Sequence, residues 1–126
     1  MTDINPHWVD AFADVLGRCA IKADEEVVIF AETASSPLLL QITRLALGQL
    51  RRFGVMVMVQ TPPEPQGPIV KSSGASTALT GQRLAASSLR AADVVIDLSV
   101  EGLMHAPETA QILKSGTRIL NISGEH

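Results

Sequence analysis

Residues 27–31 read VVIFA, and this run decides the fold class of the chain. The run is short, rich in β-branched residues and apolar at every position, which is typical of a central strand covered by helices on both faces. Comparable runs follow at 55–59 (VMVMV), 93–98 (DVVIDL) and 118–122 (RILNI). We therefore predict four strands, and we expect the second to be buried like the first.

Helical periodicity separates these four runs. Asn5 and Pro6 are typical of a helix start. The core-facing residues of this first helix are expected to be Trp8, Val9, Phe12, Val15, Leu16 and Cys19. Ser35 or Ser36, followed by Pro37, predicts the start of a second helix that ends before Gly54. Its predicted apolar face is Leu38, Leu39, Ile42, Leu45, Ala46, Leu50 and Phe53.

A third helix is predicted over residues 80–92, and a short fourth helix begins near 107 and ends near 114. Strands that alternate with helices form a parallel sheet with right-handed crossovers. We predict a single Rossmann-like α/β domain over residues 1–126, with three layers, a four-stranded parallel sheet in the order 2-1-3-4, and helices on both faces. Ligands of such sheets bind at the carboxyl ends of the strands.

Composition narrows the possible partners. The chain has 126 residues, 46% of them apolar, and a net charge of −3 with three Phe, one Trp and no Tyr. A nucleic-acid partner is not expected, because a basic patch and stacking aromatics are both missing. No apolar run approaches the length of a membrane span, and the N-terminus lacks a signal-peptide pattern. We expect a cytoplasmic protein that does not bind membranes.

Familiar cofactor motifs are also missing. The turn after the first strand has no glycine, so a dinucleotide site of the usual kind is not expected. The three histidines, His7, His105 and His126, do not share a helix face at metal-ligand spacing. We predict that this chain alone holds no metal.

The strongest local group of polar residues lies in residues 99–108, which read SVEGLMHAPE. It combines Glu101, the flexible Gly102 and His105 at the edge where an α/β sheet binds ligands. A histidine there could act as a general base or hydrogen-bond a substrate hydroxyl. The alternative, that His105 caps the following helix and Glu101 is simply solvated, stays open.

Five stretches together resemble the N-terminal domain of the thermophilic-type metallo-aminopeptidase family, and within it the dihydroxypyridine dioxygenase branch. They are 28–33 (VIFAET), 71–76 (KSSGAS), 93–97 (DVVID), 101–108 (EGLMHAPE) and 121–126 (NISGEH). The resemblance implies that His105 is a catalytic residue, a base or an orienting group for a ring hydroxyl. Glu101, Ser73 and Met104 are predicted to contact the substrate. The branch typically has leucine where this chain has Met104.

The resemblance covers this whole chain but only the first part of a family member. It implies that the metal ligands belong to a C-terminal domain, so iron(II) is expected in the complete enzyme and no cofactor in this chain alone. The expected partners are that domain, or a separate chain carrying it, and further copies of this chain in a homo-oligomer. Two alternatives stay open: the N-terminal domain of an aminopeptidase, and a stand-alone oligomerising binding module.

Overall fold

The computed structural model describes residues 6–18, 22, 24–52, 54–61, 78–100, 102–104 and 106–122. Helices and strands alternate along the chain. They are α1 (Pro6–Arg18), β1 (Val27–Glu32), α2 (Pro37–Gln49), β2 (Val55–Val59), α3 (Arg83–Ala91), β3 (Val94–Asp97), α4 (Thr109–Lys114) and β4 (Arg118–Asn121). None of the helices in these ranges combines the length and the apolarity that crossing a lipid bilayer requires.

The four strands form one parallel sheet in the order β2-β1-β3-β4, which confirms the predicted fold class. Phe30 of β1 pairs with Asp97 of β3, and Asp97 pairs with Asn121 of β4. Because all strands run the same way, their carboxyl ends meet at one edge of the sheet. Polar residues from three neighbouring strands are thereby brought together at that edge.

The sheet has a separate apolar core on each face. Val27, Ile29 and Ala31 pack in a cluster with residues of α1 and α2, whereas Val28 and Phe30 pack in a cluster with residues of α3 and α4. Successive side chains of a strand point to opposite faces, so a strand covered on both sides must be apolar throughout. This is the physical basis of the VVIFA signal.

The predicted core face of α1 was partly wrong. Leu16 is buried and Phe12 packs against the core, but Trp8 is 47% exposed and Val15 is 55% exposed. The helix packs through positions 9, 12, 13 and 16, a single stripe at helical spacing that leaves both of those residues on its flanks. Cys19 lies outside the described residues.

The second helix ends earlier than predicted. Ser36 caps its start, because the Ser36 Oγ accepts a hydrogen bond from the Leu39 N–H at 3.1 Å. The helix stops at Gln49, and the left-handed residue just after it is Arg51 (φ 56°) rather than Gly54. Leu45, predicted to face the core, is 43% exposed. Phe53 lies outside the described residues.

Strand β2 is not buried as predicted. Val55 is 62% exposed, Met56 43% and Met58 51%, and only Val59 is fully buried within the strand. The reason is its place in the sheet, since β2 is an edge strand that pairs with β1 alone. An apolar run in the sequence is the same whether the strand lies at the edge or in the centre.

An ion pair joins the segment before β1 to the start of β4. Arg118 Nη2 lies 2.8 Å from Glu25 Oε1, and the Lys22 N–H donates to the same oxygen at 2.9 Å. The hydrogen bond from Arg118, followed by that from Lys22, lowers the pKa of the Glu25 carboxyl below its ordinary value. The two edges of the sheet therefore differ: β4 begins with a paired charge, and β2 is uncharged along its length.

Gly54 permits the close approach of β2 to β1. A Cβ at this position would lie 2.5 Å from the Val27 carbonyl oxygen. We predict that Gly54→Ala destabilises the protein by about 1–3 kcal/mol, because the backbone must shift to relieve the overlap. Gly48→Ala is the matched control: nothing lies within 4 Å of the added carbon, and alanine in a helix should stabilise by about 0.5–1 kcal/mol. Urea unfolding of both variants checks this; equal effects would contradict the role given to Gly54.

Candidate active site

The carboxyl edge of the sheet carries three polar strand ends, Glu32, Asp97 and Asn121. The two carboxylates are almost completely removed from water, with Glu32 4% exposed and Asp97 0% exposed. A buried carboxylate is costly unless hydrogen-bond donors surround it. The partners of these two groups therefore show how this edge is built.

Asp97 accepts hydrogen bonds at both of its carboxylate oxygens. Its Oδ1 accepts from the Ser99 N–H at 3.0 Å and from the Ser99 Oγ at 2.6 Å. Its Oδ2 accepts from the Leu103 N–H at 2.6 Å and from the Asn121 Nδ2 at 2.8 Å. The loop after β3 is thus folded back onto the end of its own strand.

Glu32 holds the same loop from the neighbouring strand. Its Oε2 accepts a hydrogen bond from the Val100 N–H at 2.6 Å. Ser35 adds a second tie: its Oγ accepts from the Glu32 N–H at 2.8 Å and donates to the Leu98 carbonyl at 2.8 Å. The strand order reverses between β1 and β3, where doubly wound sheets usually leave an open crevice. Here these bonds join the two loops across that point.

The loop after β1 is also tied to the end of β2. The Thr61 Oγ1 accepts a hydrogen bond from the Ala34 N–H at 2.9 Å, and the Thr61 N–H donates to the Thr33 Oγ1 at 3.0 Å. These bonds fix the direction in which the chain leaves β2. Residues 62–77 lie outside the described residues.

Two adjacent residues of the β3–α4 loop have opposite exposures. Leu103 is completely buried, and its carbonyl accepts a hydrogen bond from the Thr109 Oγ1. Met104 is 73% exposed, and Val100, earlier in the same loop, is 56% exposed. The loop therefore inserts one apolar side chain into the core and presents two others at the edge where α/β sheets bind ligands.

Comparisons with known proteins identify the family. Residues 7–126 match the family described as NicX: 2,5-dihydroxypyridine 5,6-dioxygenase. The chain belongs to this family. A 2,5-dihydroxypyridine 5,6-dioxygenase of Pseudomonas putida is 31% identical over 118 residues, which is 92% of this chain but 33% of that protein. The solved structure of the Pseudomonas putida 2,5-dihydroxypyridine dioxygenase gives a TM-score of 0.81 at 30% identity, covering 97% of this chain and 35% of that one.

The chain therefore spans about a third of the length of these NicX relatives. The matches bear out the dioxygenase part of the resemblance seen in the sequence. They do not extend to its aminopeptidase part, which stays a prediction.

The predicted site residues divide into two groups. Met104 is exposed at the carboxyl edge, next to the anchored Leu103. Glu101, His105 and Ser73 lie outside the described residues, so their roles stay predictions. Two described parts of the loop, 102–104 and 106–108, bracket the position of His105 on both sides in the chain.

The residues that hold the loop were not singled out in the sequence. In the sequence, Glu32 directly follows the first predicted strand, and Asp97 and Asn121 lie within predicted strands. A signal was available, since Glu32 directly follows one predicted buried strand, Asp97 lies next to the end of another, and Gly102 follows it after a short interval. Recognising it requires knowing that these two strands are neighbours.

The described residues do not fit an iron site. Within them, no three His, Cys, Asp or Glu side chains lie close enough together to hold a metal ion. Asp97, the most buried acid at this edge, already has hydrogen-bond donors at both oxygens. It could coordinate iron only by giving up bonds that shape the loop.

Gly102 provides a test of the loop geometry. It has φ +79°, and a Cβ there would lie 2.7 Å from the Asn121 Nδ2. Gly81 has φ +78° with nothing near an added Cβ, so it is a matched control for backbone strain alone. We predict that Gly81→Ala destabilises by about 1–2 kcal/mol, and that Gly102→Ala adds about 1–3 kcal/mol more by displacing Asn121.

Thermal or urea unfolding of the two glycine variants measures the difference. If Gly102→Ala and Gly81→Ala destabilise the protein equally, the close contact between Gly102 and Asn121 does not shape the loop.

Proposed function

We propose that this chain is the N-terminal, substrate-facing module of a non-haem iron enzyme that cleaves the ring of 2,5-dihydroxypyridine. The observation that carries the proposal is the family match over residues 7–126, together with the coverage of only a third of the matched relative. An α/β module of this kind contributes one wall of a cleft, and the remaining length of the enzyme contributes the other.

The anchored β3–α4 loop supplies the substrate wall in this proposal. A pyridine ring has apolar faces and polar hydroxyl groups at its rim. The exposed Met104 side chain can pack against a ring face, since its thioether chain is flexible and polarizable. Val100, also exposed on this loop, extends the apolar surface.

His105 is proposed as the catalytic residue of this module. An imidazole can accept the proton of a ring hydroxyl or hold that hydroxyl in a fixed orientation. Glu101 and Ser73 are proposed as further substrate-binding residues. The assignment of His105 comes from the resemblance seen in the sequence, and the exposure of the neighbouring Met104 is compatible with it.

We place the iron(II) of the complete enzyme outside the described residues of this chain. A facial triad of two histidines and a carboxylate is the usual ligand set of such enzymes. In this proposal the C-terminal part of the enzyme, or a separate chain that carries it, provides that set. This chain alone then binds no cofactor and has no ring-cleaving activity, and its residues bind and orient the ring.

The function can be tested by joining residues 1–126 to the remaining two-thirds of the Pseudomonas putida relative and loading the chimera with iron(II). We expect the chimera to consume 2,5-dihydroxypyridine in air and the isolated chain not to. His105→Ala in the chimera should lower kcat/KM by about 100-fold or more, since general acid–base groups contribute about 10²–10⁴ in rate.

His7→Ala is the matched control, because His7 is an exposed histidine on α1 and should leave turnover unchanged. An amino-acyl amide offered to the same chimera tests the aminopeptidase alternative. Two outcomes would contradict the proposal. One is turnover of 2,5-dihydroxypyridine by the isolated chain with iron(II), and the other is a folded, iron-loaded chimera that does not consume 2,5-dihydroxypyridine.

The exposed edge strand favours a second candidate, an assembly role through contact with another copy of this chain. Val55, Met56 and Met58 are exposed, and residues 55–59 contain neither a charge nor a proline to protect the edge. Beside this strand, α2 and β2 border a groove of about 360 Å³ lined in part by Leu45, Met56, Arg44 and Arg52. Two copies paired edge to edge would place apolar residues opposite each other.

Light scattering measures this association. We expect the chain to form a dimer or larger homo-oligomer, and Met56→Lys to shift it toward the monomer, because like charges would face each other across the paired edges. Leu84→Lys, at a residue 80% exposed on α3, is the control and should leave the mass unchanged. A monomer at high concentration in the unmodified chain would contradict the assembly role.

A further inference from the structure

We propose that Asp97 and Asn121 are positioning residues, which set the place of Met104 at the substrate edge by holding the backbone of residues 99–100 and 102–104. Their consequence for catalysis rests on the function proposed above. Their control of the loop rests on geometry alone, so the two can be tested separately.

The first argument is the convergence of donors on one side chain. Main-chain N–H groups of Ser99, at the start of the loop, and Leu103, in its middle, both donate to the Asp97 carboxylate, one to each oxygen. Only a carboxylate offers acceptors on both sides, because an amide has one oxygen and one NH₂ group. Asparagine at this position, although almost the same size, would leave one of the two loop bonds unmade.

The second argument is the place of Asn121. It pairs in register with Asp97 from the neighbouring strand, and its Nδ2 donates to Asp97 Oδ2 at 2.8 Å. The same Nδ2 would lie 2.7 Å from a Cβ on Gly102, so the loop rests against this amide group. Asn121 thus orients the carboxylate and also sets how closely the loop approaches the sheet.

The third argument connects these two residues to Met104. Leu103 is held at its N–H by Asp97 and at its carbonyl by Thr109, and its side chain is fully buried. The next residue is Met104, which is 73% exposed. The Asp97–Leu103 bond holds the peptide before Leu103, and the Thr109 bond holds the peptide before Met104, so together they set where the Met104 side chain leaves the loop. Asp97 is fully buried, so it acts through the loop.

The presence of an acid, Asp97, at the end of β3 is not explained by a general requirement of strand ends in this sheet. Strand β2 of the same sheet ends in the buried apolar residue Val59. A strand end in this sheet therefore does not require a carboxylate. What distinguishes β3 is the loop that returns to it.

Amide hydrogen exchange on the isolated chain tests the loop. Asp97→Asn should raise the exchange rate of the Ser99 or the Leu103 amide, whichever faces the new NH₂ group, about ten- to hundredfold, because a hydrogen bond to a charged acceptor is lost. The amides within β1 and β3 should change less than about threefold if the effect is local. Glu32→Gln is the matched control, since glutamine keeps one oxygen for the Val100 N–H and should leave Leu103 unchanged.

Asn121→Ala is a milder variant on an exposed strand end, for use if Asp97→Asn does not fold. It should raise Leu103 exchange about three- to tenfold. Unchanged exchange at both Ser99 and Leu103 in folded Asp97→Asn, unchanged Leu103 exchange in folded Asn121→Ala, or an equal rise throughout the sheet, would overturn the positioning of the loop by these residues.

The chimera described above provides the catalytic measurement. Because Met104 is proposed as a binding contact, Asn121→Ala should raise KM for 2,5-dihydroxypyridine more than it lowers kcat. Faster loop exchange with an unchanged KM would overturn the link to the substrate. A chimera that is inactive before any mutation would count against the proposed function, whereas the exchange measurement would still decide the role of Asp97 and Asn121.

Discussion

The carboxylate of Asp97 is the constraint on which the ligand edge of this sheet depends. It lies at the end of a central strand where water does not reach it, and a group of this kind is tolerated only when donors surround it. Three of its four donors belong to the loop that follows the strand. The same hydrogen bonds therefore compensate the buried carboxylate and shape the loop. The loop conformation that makes them includes the positive φ of Gly102 and the burial of Leu103.

A second carboxylate, that of Glu32, acts in the same way from β1. Acids at the carboxyl edge of an α/β sheet are usually considered first as metal ligands or as catalytic acids and bases. Here both are engaged with main-chain N–H groups of one loop. In the proposed function, the side chains that the loop presents contact the substrate, and Met104 directly precedes the predicted base in the chain.

The family relationship and the exposed apolar surfaces are both consistent with a chain that is one part of a larger assembly. The chain belongs to the NicX family and spans about a third of its relatives' length. Among the described residues, five large apolar side chains are exposed on the edge strand β2 and on the β3–α4 loop, and five others are exposed on the helices. Surfaces of this kind are usually covered in a complete assembly.

The order of strands and helices was determined by the sequence by itself, because the periodicity of apolar residues is a local property that each segment carries within it. The runs VVIFA and DVVIDL predicted buried strands correctly, and Ser36–Pro37 predicted a helix start. Residues 99–108 were also recognised as the loop of interest. Three features became clear only in the folded chain. The equally apolar run at 55–59 is an exposed edge strand, and α2 ends before Arg51. Glu32, Asp97 and Asn121 come together around one loop. Those outcomes depend on which strands are neighbours, and residues far apart in the chain come within hydrogen-bonding distance only when the sheet has formed.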